Sequence, residues 1–309
     1  MDERKIRFVV LSLSALIAVP MLAAAPAAGA SAATRPLRPG DLVVDHGAAA
    51  VVPPRGIGVV AHVDHADGSS QTLSISTAAD GTVRVDSLGQ EQTSAPEVVA
   101  SSPGACQDDA FNLAEIGGKH YKWFNTYNWH FNASSTPSEI TVDNAESALR
   151  QATTNITHAN NNCGLTDNIS ATASYQGRTS QGVDINANGT CESFQANQNV
   201  SGFGDLPAGV LGVTCTWADT SSTPATAVQS DMRLNKADFQ WVVNIGSGCS
   251  NKWSVEAVAT HERGHTFSLG HVSEADHGNL TMSTAINGPC QSSESTLGLG
   301  DVRGLRQLY

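Results

Sequence analysis

Residues 260–271 place three histidines and a glutamate in a spacing that requires a helix followed by a turn. The segment reads Thr-His-Glu-Arg-Gly-His-Thr-Phe-Ser-Leu-Gly-His, with histidines at His261, His265 and His271. Positions i and i+4 share one face of an α-helix, so His261 and His265 can bind one metal ion while Glu262 points into the same cleft. A straight helix cannot surround an ion. The chain must therefore turn after the helix to bring in a third ligand.

The expected metal is zinc, because three neutral imidazoles suit Zn²⁺ and leave a fourth position open for water. Ser268 and Gly270 mark the predicted end of the helix, just before the third histidine. Gly264 costs the helix about 1 kcal/mol relative to Ala, which predicts that another element packs closely behind it. Asp276 and His277 are the alternatives for the third ligand.

The first 33 residues are typical of a secretory signal peptide. A basic start precedes an apolar run over residues 8–25, and the small residues Ser31-Ala32-Ala33 follow. Pro20 interrupts the run, which favours a cleaved leader over a membrane anchor. We therefore expect a secreted, extracellular protein without a membrane anchor in its mature form.

The six cysteines all follow this leader, and an even number in an exported protein predicts three disulfides. Many pairings are compatible with the sequence. We predict that the cysteines pair sequentially, as Cys106–Cys163, Cys191–Cys215 and Cys249–Cys290.

The charge of the chain limits the classes of molecule that it can bind. The formal net charge is −12 and charged residues make up 15% of the sequence. Phosphate contacts need clustered Lys and Arg, so this balance argues against nucleic acid.

The region between the leader and the first cysteine, residues 34–105, is predicted to be a propeptide or a small β-unit with linkers. Residues 34–56 are rich in Pro, Ala and Gly and resemble a linker. Three strands of a β-meander are expected at Ile57–Val63, Thr72–Thr77 and Thr82–Asp86, because apolar residues alternate there and Asp-Gly dipeptides separate them.

The main domain is predicted to span residues 106–309. Alternating aromatic residues predict a strand over 127–132. A helix follows, with Asp143 and Glu146 as a capping box and a buried stripe of apolar residues. Further elements are expected as strands at 208–217 and 228–235, a helix from Ser254 and a last helix at 301–308. This order predicts an α/β (α+β) fold with a mixed sheet.

The histidine segment resembles the metzincin zinc endopeptidases, whose motif is H-E-x-x-H-x-x-G-x-x-H followed by a methionine turn. The H-E-x-G-H form is closest to the matrixin branch, and Met282 in Leu280–Ser283 stands where the turn is expected. Ser230–Asn235 resembles the edge strand along which matrixins align substrate, and Leu297–Tyr309 resembles the closing helix. The resemblance covers residues 123–309 and implies a metzincin-like mixed twisted sheet.

This sequence departs from the family in three respects. Ser268 stands where the family has a glycine in a left-handed turn, so either Ser268 bears that conformation or Gly270 absorbs it. Residues 34–105 contain no cysteine, so the family's cysteine-based latency device is absent there. The same residues have a β pattern, whereas matrixin propeptides are helical. His62 and His65 are candidates for a small metal site or for a latency contact with the zinc, or else lie on exposed loops.

The resemblance implies a secreted zinc-dependent endopeptidase made as a zymogen. His261, His265 and His271 are the expected zinc ligands, and Glu262 is the expected general base for a zinc-bound water. The expected partners are protein or peptide substrates, and the expected state is monomeric. Calcium is a candidate structural ion by resemblance alone. The alternatives are a zinc-dependent amidase acting on cell-wall peptides and a catalytically inactive zinc-containing binding protein.

Overall fold

The computed structural model describes residues 35–90, 102–286 and 288–309 of the chain. The predicted signal peptide and residues 91–101 lie outside the described residues. Within the described ranges, no helix is both long and apolar enough to cross a membrane.

The elements are numbered along the chain. The strands are β1 (Leu42–Asp45), β2 (Ala48–Val51), β3 (Ile57–His65), β4 (Ser70–Thr77), β5 (Val83–Gln90), β6 (Asn112–Leu113), β7 (Glu115–Ile116), β8 (Lys119–Lys122), β9 (Tyr127–Asn132), β10 (Ala173–Thr179), β11 (Thr190–Cys191), β12 (Asn199–Gly204), β13 (Val210–Asp219), β14 (Ala225–Asn235), β15 (Gln240–Val242), β16 (Lys252–Ser254) and β17 (Leu269–Gly270). The helices are α1 (Val142–Thr157), α2 (Val255–Thr266), α3 (Glu274–His277) and α4 (Leu299–Leu308), with 3₁₀ turns at Ala133–Ser135 and Ser293–Ser295.

A ten-stranded mixed sheet organises the molecule. Eight strands lie side by side in the order β10-β9-β12-β14-β13-β3-β4-β5, and β8 and β7 extend from β14. Strands β10, β9, β12 and β14 pair in parallel, whereas β13, β3, β4 and β5 pair antiparallel to their neighbours. The predicted mixed sheet is therefore confirmed, and so is the C-terminal helix, which is α4.

Periodicity located most elements correctly. Tyr127, Trp129 and Phe131 are buried on one face of β9, and the strands predicted at 208–217 and 228–235 correspond to β13 and β14. The capping box predicted for α1 is wrong, because Thr141 is the N-cap residue and its side chain accepts a hydrogen bond from Asn144 N at 3.2 Å. The helix thus begins one residue before Asp143, which lies in its first turn.

Two corrections concern the N-terminal region. Residues 34–56 are more than a linker, since β1 and β2 form a hairpin there and β2 also pairs in parallel with β11. The predicted meander is present as β3, β4 and β5, but it continues the main sheet through nine residue pairs between β3 and β13. The sequence could not anticipate this pairing, because alternation specifies a strand and not its neighbour. The domain boundary between residues 105 and 106 stays a prediction.

Two hydrophobic cores lie on opposite faces of the sheet. The first packs the central strands against α1, α2 and α4, with Trp129, Leu149 and Val258 among its buried members. The second joins N-terminal residues such as Val59 and Leu73 to Val213, Cys215 and Trp217 of β13. Residues Leu37–Tyr309 accordingly form one compact unit.

The three predicted disulfides are confirmed. Cys106 bonds Cys163, Cys191 bonds Cys215 and Cys249 bonds Cys290, so the pairing is sequential. The second bond links β11 to β13 within the second core. No cysteine in the described residues is free.

The second core predicts that the N-terminal strands unfold together with the rest of the unit. Leu73 on β4 is fully buried, so Leu73→Ala should lower the free energy of unfolding by about 2–5 kcal/mol. In urea unfolding followed by tryptophan fluorescence, the whole transition should shift to lower urea. Val85→Ala on β5, where the side chain is 37% exposed, is the control and should shift it little. A separate early transition with an unmoved main one would contradict this prediction.

Candidate metal centre

Helix α2 carries the first two histidines and begins where the sequence predicts. Ser254 is its N-cap residue, and the side chain accepts a hydrogen bond from Ala257 N at 3.2 Å. Gly264 is explained by Met282, because a Cβ at position 264 would lie 2.3 Å from Met282 Sδ. The predicted close approach behind the helix is thus made by the predicted methionine turn.

The methionine turn is held in place by the C-terminal helix. Asp301 on α4 accepts hydrogen bonds from the backbone N–H groups of Thr281 and Met282, at 2.9 and 3.2 Å. It also accepts one from Gly298 N at 2.8 Å. Met282 is 2% exposed, so it forms an apolar floor under α2.

The turn after α2 is made by Ser268 and not by Gly270. Ser268 has φ of 71°, in the left-handed region, whereas Gly270 is outside that region. The Ser268 hydroxyl donates to the Ala114 carbonyl at 3.2 Å. Residues Leu269 and Gly270 then pair with β6, which directs the chain back so that His271 faces α2.

The three predicted ligands converge through the same ring atom. His261 Nε2 lies 3.2 Å from His265 Nε2 and 3.2 Å from His271 Nε2. Zn–N bonds of 2.0–2.1 Å in a tetrahedral site imply separations of about 3.3–3.4 Å between ligand nitrogens. The described residues therefore fit a zinc ion without rearrangement.

Hydrogen bonds on the opposite side of two rings fix their tautomers. His261 Nδ1 lies 2.7 Å from the Thr281 carbonyl and His265 Nδ1 lies 2.9 Å from the Leu269 carbonyl. Each Nδ1 donates to its carbonyl, so a neutral ring carries its lone pair on Nε2, toward the centre. This is the ligand orientation that a metal requires.

A fourth donor comes from a residue outside the predicted set. Asp64 on β3 is fully buried, with Oδ1 2.7 Å from His271 Nε2 and Oδ2 3.4 Å from His265 Nε2 and 3.7 Å from His261 Nε2. Among the described residues neither oxygen accepts a well-formed hydrogen bond. Buried lone pairs that face one another are costly unless a cation lies between them. Asp64 and the three histidines are a group that could hold a metal ion.

The pKa shifts of two histidines indicate that the Asp64 carboxylate favours a positive charge at the centre. Burial and the nearby His271 lower the pKa of His265 to about 4, so this imidazole is neutral at pH 7. Burial lowers the pKa of His261, but the Asp64 carboxylate outweighs it and raises this pKa to about 9.

Glu262 lies beside the centre on the same helix. Its Oε2 accepts a hydrogen bond from the Thr214 hydroxyl on β13 at 2.6 Å. Burial and the neighbouring Asp64 carboxylate raise the pKa of Glu262 well above its ordinary value. The two carboxyl groups thus share one enclosed site.

The other candidate ligands lie elsewhere. His277 Nδ1 lies 2.9 Å from Asp108 Oδ2, and neither Asp276 nor His277 belongs to the metal-binding group found in the described residues. His65 Nε2 contacts Gln71 Oε1 at 3.0 Å. His62 is buried and stacks on His265, with ring centroids 3.9 Å apart. Of the two histidines considered for a latency contact, only His62 reaches the centre.

The prediction that Ser230–Asn235 is the edge strand is wrong. Ser230–Asn235 lies within β14, which pairs with β12 on one side and β13 on the other. Within residues 106–309 the outer strand beside the site is β13, and β3 pairs with its free edge. Both β13 and β14 are largely buried, and a local pattern does not reveal the order of neighbouring strands, because that order is set by long-range pairing. For the same reason no sequence pattern points to Asp64, since only the β3–β13 pairing brings it to the histidines.

The comparison with known families agrees with this centre. A family model described as Peptidase_M10, matrixin, matches residues 207–309, the C-terminal third of the chain that contains β13, α2, the methionine turn and α4. This match supports the resemblance of residues 207–309 to the matrixin family. It supports a zinc-dependent metallopeptidase activity in general terms. No curated protein matches the sequence.

The left-handed conformation of Ser268 gives a stability prediction. At φ of 71° a non-glycine residue pays roughly 1–2 kcal/mol. Ser268→Gly and Ser268→Ala both remove the hydroxyl, but only glycine relieves the backbone. The glycine variant should therefore have a free energy of unfolding about 1 kcal/mol above that of the alanine variant. Equal stability of the two variants in thermal unfolding would contradict it.

Proposed function

We propose that this chain is a secreted zinc-dependent endopeptidase that is made in an inhibited form. The observation that carries the proposal is the convergence of three Nε2 atoms, 3.2 Å apart in two pairs, beside a buried glutamate. Three histidine ligands leave one coordination position for chemistry. The leader sequence and the three disulfides support export.

The zinc ligands in this proposal are His261, His265 and His271. Zinc, when bound, would lower the pKa of a water molecule and polarise the substrate carbonyl. The Thr281 and Leu269 carbonyls hold two of the rings in the ligating orientation. Met282 excludes water from beneath the centre.

Glu262 has the role of general base in this proposal. Its side chain follows a zinc ligand directly in sequence, and its Oε1 is free of hydrogen bonds from the described residues. It would accept a proton from the attacking water and return it to the departing amine. A binding protein would have no need of a buried carboxylate at this position.

The edge of β13 around Gly212 is the expected place for substrate. Strand β3 already shows that a chain can add to this edge in antiparallel pairing, with Asp64 opposite Gly212 at the centre. Backbone pairing of this kind accepts extended peptides with different side chains. This favours proteins and peptides as substrates.

The proposed inhibition rests on the position of β3 in the sheet. It covers the free edge of β13, and Asp64 supplies a carboxylate to the position that a water would need. No cysteine is available in residues 34–105. In this proposal the Asp64 carboxylate therefore blocks the zinc, and β3 blocks the substrate edge.

Activity and metal content provide the main test. The purified chain should bind one zinc per molecule and, after limited trypsin treatment, hydrolyse casein in a chelator-sensitive way. Glu262→Ala should keep zinc while hydrolysis falls roughly 10²- to 10⁴-fold. Zinc without hydrolysis in the wild-type chain would favour a binding protein. Hydrolysis of cell-wall peptides but not casein would favour an amidase, and absence of zinc would refute the whole proposal.

Latency predicts that the zinc becomes more accessible to a small ligand when Asp64 is changed. Asp64→Asn keeps the size of the side chain but replaces a carboxylate by a neutral amide, which is a weaker zinc ligand. Because β3 still covers the substrate edge in the uncleaved chain, the test uses a small zinc ligand. Acetohydroxamate should bind the zinc-loaded, uncleaved variant at least about tenfold more tightly than the zinc-loaded, uncleaved wild-type chain. Asp86→Asn on β5, where the carboxylate pairs with Arg84, is the matched control and should bind it as the wild-type chain does. Equal affinities for the two variants, measured by calorimetry, would exclude Asp64 as the blocking group.

A further inference from the structure

We propose that Thr214 is a positioning residue for Glu262, fixing one carboxylate oxygen so that the other is presented to the reacting water. The proposal rests on the function proposed above and adds a residue to it. It rests on the contacts between strand β13 and the Glu262 side chain of α2.

The contact between the two residues is short and enclosed. Thr214 Oγ1 lies 2.6 Å from Glu262 Oε2, and both residues are fully buried. The Thr214 hydroxyl donates this hydrogen bond and Glu262 Oε2 accepts it. The same hydroxyl lies 3.2 Å from the Glu262 carbonyl, but it has a single proton, and the shorter contact is the one to the side chain. A charge-assisted bond out of water is stronger than a neutral one.

Gly212, two residues earlier on the strand, holds the carboxylate from the other side. A Cβ at position 212 would lie 2.0 Å from Glu262 Oε1. The backbone of Gly212 is outside the positive-φ region, so its conformation does not require glycine. The absence of a side chain is explained by the carboxylate that lies against it. Thr214 and Gly212 together therefore form a seat for Glu262.

The two carboxylate oxygens of Glu262 differ in their contacts. Oε2 is tied to Thr214, whereas Oε1 has no hydrogen-bond partner among the described residues. The untied oxygen is the one able to accept a proton. A carboxylate free to rotate would spend part of its time with neither oxygen correctly aimed, and such misplacement lowers the rate of the chemical step.

The test compares three variants after trypsin activation, with a peptide substrate. Thr214→Val removes the hydroxyl and keeps the shape, so kcat should fall roughly 10- to 100-fold with KM within about twofold. Thr214→Ser restores the donor and should recover most of kcat. Thr216→Val is the matched control: this buried hydroxyl on the same strand lies 2.9 Å from Ser230 Oγ, and its removal should leave kcat within about twofold.

A second measurement does not depend on activity. In a crystal structure of the metal-free Thr214→Val chain, the Glu262 carboxylate should have left its place against Gly212, while the three histidines keep their positions. An unmoved carboxylate, or equal kcat for Thr214→Val and Thr216→Val, would overturn the role of Thr214. A wild-type chain that binds zinc but hydrolyses no peptide would instead refute the proposed function, so the two failures are distinguishable.

Discussion

The antiparallel pairing of β3 with β13 is the interaction on which this structure depends. It continues the sheet into the N-terminal region and aligns Asp64 with Gly212. On one face of the sheet it completes the second hydrophobic core, where Leu73 and Val59 meet Trp217. On the other face it delivers His62 and Asp64 to the histidines of α2. Successive side chains of a strand alternate between the two faces of the sheet. The pairing of β3 with β13 therefore stabilises the unit on one face and closes the site on the other.

The buried polar cluster is the second constraint. Helix α2 buries His261, Glu262 and His265 completely, which an apolar interior would penalise by several kcal/mol without partners. Carbonyl groups satisfy the outer nitrogens, Thr214 satisfies one oxygen of Glu262, and a cation would satisfy the inner nitrogens and Asp64. A bound cation would therefore offset part of the cost of burying these groups.

Sequence reasoning succeeded where the information is local. The spacing of His261 and His265 implies a shared helix face, and Gly264 implies a close neighbour that proved to be Met282. It failed where two plausible local solutions compete, as at the start of α1, where Thr141 caps the helix in place of Asp143. It also failed where a partner lies far away in sequence. Ser230–Asn235 is a strand, but its place inside the sheet depends on β12 and β13.

The sequence by itself determined the helix that carries His261 and His265 and the turn that brings in His271, and it predicted the pairing order of the cysteines. These follow from periodicity and residue chemistry, which act over a few positions, and from the expectation that neighbouring cysteines pair. Only the tertiary structure decided that Asp64 faces the histidines, that β13 forms the edge beside them and that Thr214 holds Glu262. The physical reason is that strand alternation fixes which face a side chain occupies, whereas the neighbour of that face is set by long-range pairing and burial.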